Sequence, residues 1–182
     1  VATADADALW VDVAVRVEGS TSVDAPTATT ARATGISGGA GDDEILNLSA
    51  ITATAEADTV SGGLSLAFTP GKFLPTKASA NTAASADTTA VGIEGGGGAN
   101  RIESGGTISA TANSDAIAAS VAAEFATGSG VGALGGFPMA DSSATATARA
   151  RGVTGGDNTD AITTRGTITA DADSLAVPTS VS

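Results

Sequence analysis

The residues with types and spacing suited to chemistry are oxygen ligands set among glycines. Gly38-Gly39-Ala40-Gly41-Asp42-Asp43-Glu44-Ile45-Leu46 fits the nonapeptide Gly-Gly-x-Gly-x-Asp-x-U-x, where U is a large apolar residue. That turn holds Ca2+ in parallel β-helical repeats. Gly95 to Glu103 fits with Asn100 at the Asp place, and Gly155 to Thr163 keeps Asp160 but puts Asp157-Asn158 where x-Gly is expected. The three turns lie 57 and then 60 residues apart. Asp42, Asp43, Asn100 and Asp160 are therefore ion ligands only if stacking brings the turns into one column. The same residues have a second reading. Glycine supplies positive φ in a tight turn, and Asp or Asn makes local hydrogen bonds. A second set of acids also aligns between repeats: Asp5, Glu56, Asn113 and Asp173, then Asp7, Asp58 and Asp115. Stacked like charges repel unless a divalent ion or solvent screens them. Oxygen donors with no His or Cys favour Ca2+ over transition metals; the other reading is a solvated acidic face.

Composition removes most other chemistry. The 182 residues contain no Cys and no His, so thiolate metal sites, disulfides and Ser-His or Cys-His catalysis are excluded. The acids repeat with the architecture, aromatics are 3%, and no cleft of unrepeated carboxylates with sugar platforms is expected; no enzyme is expected either. A net charge of −12 argues against nucleic acid or an anionic membrane as partner. The longest apolar run, Ala116 to Ala126, is too short to cross a bilayer and carries Glu124.

The elements that must position these groups are strands. Ala110, Ala112, Ala116 and Ala118 share one parity, with Ser109, Thr111, Asn113 and Asp115 on the other, the period-2 signature of a strand. Beyond the acids, large apolar residues follow on the acidic parity: Leu9, Val11, Val13, Val15 and Val17; Val60, Leu64, Leu66 and Phe68; Ile117, Val121 and Phe125. The expectation is a long strand whose first half buries its alanine face and whose second half buries the other, spanning two small cores; the alternative is that Val11 to Val17 and Leu64 to Phe68 are faces that bury against neighbouring subunits. Gly/Pro-rich loops are expected over Glu18 to Pro26, Thr69 to Lys77 and Thr127 to Asp141. A return strand follows, with Ala144, Ala146, Ala148 and Ala150 on its small face. A short strand centred on Ile45, Ile102 or Ile162 closes each repeat.

The fold expected is all-β: a parallel β-solenoid of about three wide rungs of 57–60 residues, with an antiparallel sandwich as the alternative. Residues 1–182 read as one repeat domain, with a partial repeat over 1–32, full ones over 33–89 and 90–149, and a partial one over 150–182. The chain opens and stops inside repeats without distinct caps. The expectation is either more repeats in a longer chain or end-to-end and lateral association of copies.

The pattern Gly-Ile, Gly-Gly-x-Gly, Asp/Asn, Ile, Gly-Thr-Ile (Gly106-Thr107-Ile108, Gly166-Thr167-Ile168) resembles giant repetitive secreted proteins of bacteria, and is similar to RTX-type adhesins and β-helical autotransporter passengers. The resemblance implies an extracellular or cell-surface location in bacteria, adhesion or matrix building, and Ca2+-assisted folding. In the RTX family the motif recurs every nine residues, which is not the spacing here. The function expected is a structural or adhesive module that stacks or polymerises into a filament or surface layer. The alternative is a Ca2+-dependent adhesin binding a surface ligand through variable loops such as Gly128 to Met139.

Overall fold

The computed structural model describes residues 1–70, 77–127 and 137–182, with backbone alone for Pro70, Ala126 and Thr127. It is all-β, with ten strands: β1 (Ala2–Val17), β2 (Thr21–Ser37), β3 (Glu44–Asn47), β4 (Ile51–Pro70), β5 (Ala78–Glu94), β6 (Arg101–Ser104), β7 (Ile108–Thr127), β8 (Met139–Thr154), β9 (Ala161–Thr164) and β10 (Ile168–Val181). They form three separate parallel sheets, in the orders β1-β4-β7-β10, β2-β5-β8 and β3-β6-β9. Each repeat thus gives one strand to each sheet, and like residues lie side by side. Ala53 pairs Ala110, Ala86 pairs Ala146 and Ile45 pairs Ile102. This parallel arrangement is compatible with a solenoid and departs from the antiparallel sandwich.

The first two sheets face each other across an interior of alanine. Ala53, Ala55, Ala57, Ala110, Ala112 and Ala116 from one sheet pack against Ala31, Ala33, Ala84, Ala86 and Ala90 from the other. Isoleucines fill the corner where the third sheet joins: Ile45, Ile51, Ile93, Ile102 and Ile108, with Ile36 and Val153 against them. Ala is a weak strand former alone; here its methyl is the side chain that fits between closely spaced sheets.

The expected switch of burial along the long strand does not occur. In β4 the interior parity continues through Thr59, Ser61, Gly63, Ser65 and Ala67, while Leu64, Leu66 and Phe68 face outward. Two adjoining facts explain it. A strand keeps its parity unless a bulge resets it. And the gap between the sheets is so narrow that an interior hydroxyl reaches the opposite backbone: Ser114 Oγ donates to Ala86 O at 2.8 Å, Thr59 Oγ1 to Ser85 O at 3.0 Å, and Ser61 Oγ to Ala25 O. Leu and Phe cannot enter such a gap, whatever their hydropathy, whereas Ser and Thr enter, and Thr59, Ser61 and Ser114 satisfy themselves there.

The loop expected over Glu18 to Pro26 is mostly strand as well. Glu18 (φ 66°) and Gly19 (φ 114°) turn the chain within three residues, and β2 begins at Thr21. Pro26 and Pro178 lie within β2 and β10, both edge strands, where a missing N–H is tolerated on the open side. The other two expected loops fall largely on 71–76 and 128–136, outside the described residues, as does most of the Gly128 to Met139 segment.

Backbones approach closely where glycines stack. A Cβ on Gly35 would stand 2.6 Å from Gly92 O, and one on Gly92 would stand 2.5 Å from Gly152 O. A Cβ on Gly106 would overlap Ser49 O, and one on Gly166 would overlap Gly106 O. Ser49 itself holds the corresponding place in the first repeat.

Candidate functional site

The Gly-Gly turns do stack, between the second sheet and the third. Gly41 (φ 109°) and Gly98 (φ 95°) share a column with Asn158 (φ 76°). Asn is among the few non-glycine residues that adopt this left-handed conformation readily, so the departure from x-Gly in the third turn keeps the turn. Asp43, Asn100 and Asp160 fall in one column, as stacking of the repeats requires.

The column is a ladder of side chains and backbone. Asp43 N–H donates to Asn100 Oδ1 at 3.0 Å, and Asn100 N–H donates to Asp160 Oδ1 at 2.8 Å. Asn100 Nδ2 donates to Gly155 O at 3.1 Å and to Gly98 O at 3.3 Å. Ala99 N–H donates to Asp42 Oδ1 at 2.8 Å. Backbone bonds run alongside, from Gly97 N to Gly39 O and from Arg101 N to Asp43 O, both 2.8 Å. Each Asp or Asn thus ties its turn to the next. One atom stands apart: Asp43 Oδ2 is buried without a hydrogen-bond partner. It occupies the place where Asn100 offers an NH2 group, so an acceptor stands where the column calls for a donor.

Asp43 is therefore the residue here that would hold a cation. Ca2+ takes six to eight oxygens, and Oδ1 of Asp42, Asn100 and Asp160 each already accepts a backbone N–H. Among the described residues, no three acidic side chains gather as a metal site.

The outer face of the first sheet carries the other acids. Asp7 pairs Asp58, and Asp58 pairs Asp115; Asp5 pairs Glu56, and Glu56 pairs Asn113. Asn113 pairs Asp173 in turn, whereas Asp115 pairs Leu175. Asn113 Nδ2 donates to Glu56 Oε1 at 3.4 Å and relieves that row. In the other row the Asp5 charge above all, with some desolvation, the Asp58 charge and a hydrogen bond with Asp5, raises the Asp7 carboxyl above its ordinary value. On the third sheet the opposite holds. The Arg101 hydrogen bond and charge lower the Glu103 carboxyl, and Glu103 raises Arg101 in return.

Two residues beyond the acids, the same face turns apolar. Its columns run Leu9–Val60–Ile117–Val177, Val13–Leu64–Val121–Val181 and Val17–Phe68–Phe125. Leu9 is 72% exposed, Val13 55% and Phe125 51%. The Phe68 and Phe125 rings stack at 5.1 Å between centroids, interplanar angle 13°. Sequence reasoning identified these apolar residues and assigned them first to a core, which the structure overturns, with burial against neighbouring subunits as the alternative; the alternating Ser61, Gly63 and Ser65 were the signal that the interior lies on the other parity. Among the described residues, no helix is long and apolar enough to cross a membrane.

The chain matches no protein-family model, no curated protein and no solved structure.

Proposed function

We propose that the chain is a structural repeat module, a β-solenoid segment of a bacterial extracellular filament or surface layer, and that its role is mechanical rather than catalytic. The observation that carries this is the register: strands of successive repeats hydrogen-bond residue for residue in all three sheets. Parallel strands stacked about 4.8 Å apart make a stiff rod without a globular core. The outer strands of each sheet leave edges to which further strands can add, either from the same chain or from another copy. The repetitive secreted proteins resembled above are built for adhesion or matrix, which agrees with an acidic, Cys-free chain.

Electron microscopy of the native material tests the reading. Filaments or sheets with a layer spacing near 4.8 Å along the axis are expected. Discrete monomers at high concentration would sink it.

A second reading rests on the buried, unpartnered Asp43 Oδ2. In it, a Ca2+ ion at Asp43 stiffens the turn column of an adhesin that meets its ligand through the variable loops. Thermal melts with Ca2+ and with EGTA decide it: a higher melting temperature in Ca2+, lost in Asp43→Asn, supports the ion, and superimposable melts exclude it.

A further inference from the structure

The apolar half of the outer face of the first sheet has no partner within the chain. From Leu9 to Val17 it runs eight residue steps, roughly 26 Å at about 3.3 Å per residue, and its four strands cover roughly 19 Å at about 4.8 Å each. That is on the order of 500 Å² per copy even when drawn flat. A monomer seldom leaves so large a continuous patch without a use.

We propose that this half-face is a lateral interface that binds a second copy of the same chain, with the two sheets face to face and their strands antiparallel. Three observations commit it to that occupant. First, area: two copies together remove roughly 1,000 Å², the threshold for a specific interface. Second, shape: the two-fold axis lies along the stacking direction at the Val13–Leu64–Val121 column. It sets the bulky Phe68 and Phe125 end of one copy against the smaller Val60 and Ile117 end of the other. Third, charge: antiparallel pairing sets Asp58 and Asp115 opposite the uncharged ends of the partner's strands at Pro70 and Thr127, and Asp7 beyond Val17, whereas parallel pairing would set the acidic row against its own image. The acidic half also argues against an anionic bilayer as the occupant.

The pairing does not depend on axial growth, so its failure and the failure of the filament reading are distinguishable. Sedimentation of the full chain at rising concentration should show a dimer. Leu64→Lys should return it to a monomer that keeps its β-sheet circular dichroism and a cooperative melt, because the side chain points outward. Axial filaments, where they form, should persist in that variant. Val13→Cys should cross-link to itself under mild oxidation, because position 13 faces its own image across the axis, and Leu9→Cys should not. A wild type that shows no dimer while axial filaments still form overturns the proposal, as does a Val13→Cys chain that fails to cross-link. Co-sedimentation with phosphatidylcholine vesicles in place of dimerisation would assign the face to a lipid surface and would equally overturn it.

Discussion

Gly92→Ala puts one methyl group where two neighbours already stand. Gly92 is buried in β5, with Gly35 in the repeat before and Gly152 in the repeat after. The new Cβ would meet Gly152 O at 2.5 Å and overlap Ile108 Cγ2. Ordinary contacts to carbon lie near 3.5 Å or beyond, so about 1 Å must be found. The carbonyl belongs to the backbone of the next repeat, held by its own ladder, and cannot retreat without breaking hydrogen bonds. Overfilling of this kind costs about 1–3 kcal/mol, occasionally more, and two obstructions at once favour the upper end. The smaller entropy of the unfolded Ala chain returns about 0.4–1 kcal/mol. The net loss is about 2 kcal/mol, which lowers Tm by roughly 4–8 °C in a domain of this size. Gly105→Ala is the matched control: its nearest neighbour is Leu48 Cδ2 at 4.0 Å and its φ is ordinary, so it should raise Tm slightly. Thermal melts, backed by urea titrations at constant m, read the difference. If the two variants melt within about 1 °C of each other, far less than the separation these costs imply, the close stacking of repeats is refuted.

Asn100→Ala should cost about 2–4 kcal/mol, because it leaves Asp43 N–H and Gly155 O without their partner in a residue 2% exposed; hydrogen exchange should show the loss first at the Asp43 amide. Ser114→Ala should cost about 1 kcal/mol by denaturant melts, the net worth of the bond to Ala86 O, with no cavity opened. Ser114→Val should cost more, by overfilling the gap. Asp7→Asn should raise Tm at neutral pH. The folded-state carboxyl of Asp7 lies above its unfolded value, so its ionisation opposes folding as pH rises through that range. The gain should vanish below the ordinary Asp value of about 3.9, where wild type is protonated in both states, and should shrink in high salt.

The register was legible from the sequence and the packing was not. The match of Val1–Leu9 to Thr52–Val60 and of Val177–Ser182 to Ile117–Ala122 gives the pairing found between β1 and β4 and between β10 and β7. The column of Asp43, Asn100 and Asp160 followed from the same alignment. Which face is interior did not, because hydropathy marks the inside only where the inside has room. Here the gap admits Ala, Ser, Gly and Thr, with Val23 entering opposite Gly63, so Leu64 and Phe68 lie outside and Ser61 and Ser65 inside. The sequence also offered hydrogen-bonded turn residues, but as local bonds; the bonds found run to backbone N–H groups of the neighbouring turn. The Ca2+ motif and the hydrogen-bonded turn use the same residue types, and only the positions of the amides separate them.

Ser49 gives the protein a fault line. Gly106 and Gly166 let each later repeat settle against a carbonyl of the repeat before it. A layer laid on the β1–β2–β3 end with that spacing would drive its carbonyl into the Ser49 Cβ, and Pro26 withholds an edge N–H from it nearby. The step across that end must therefore be wider than the steps within the chain. A filament built through that face would carry this wider step wherever the Ser49 layer recurs, visible as a long period superimposed on the strand repeat. Under tension it would part there, into pieces of uniform length.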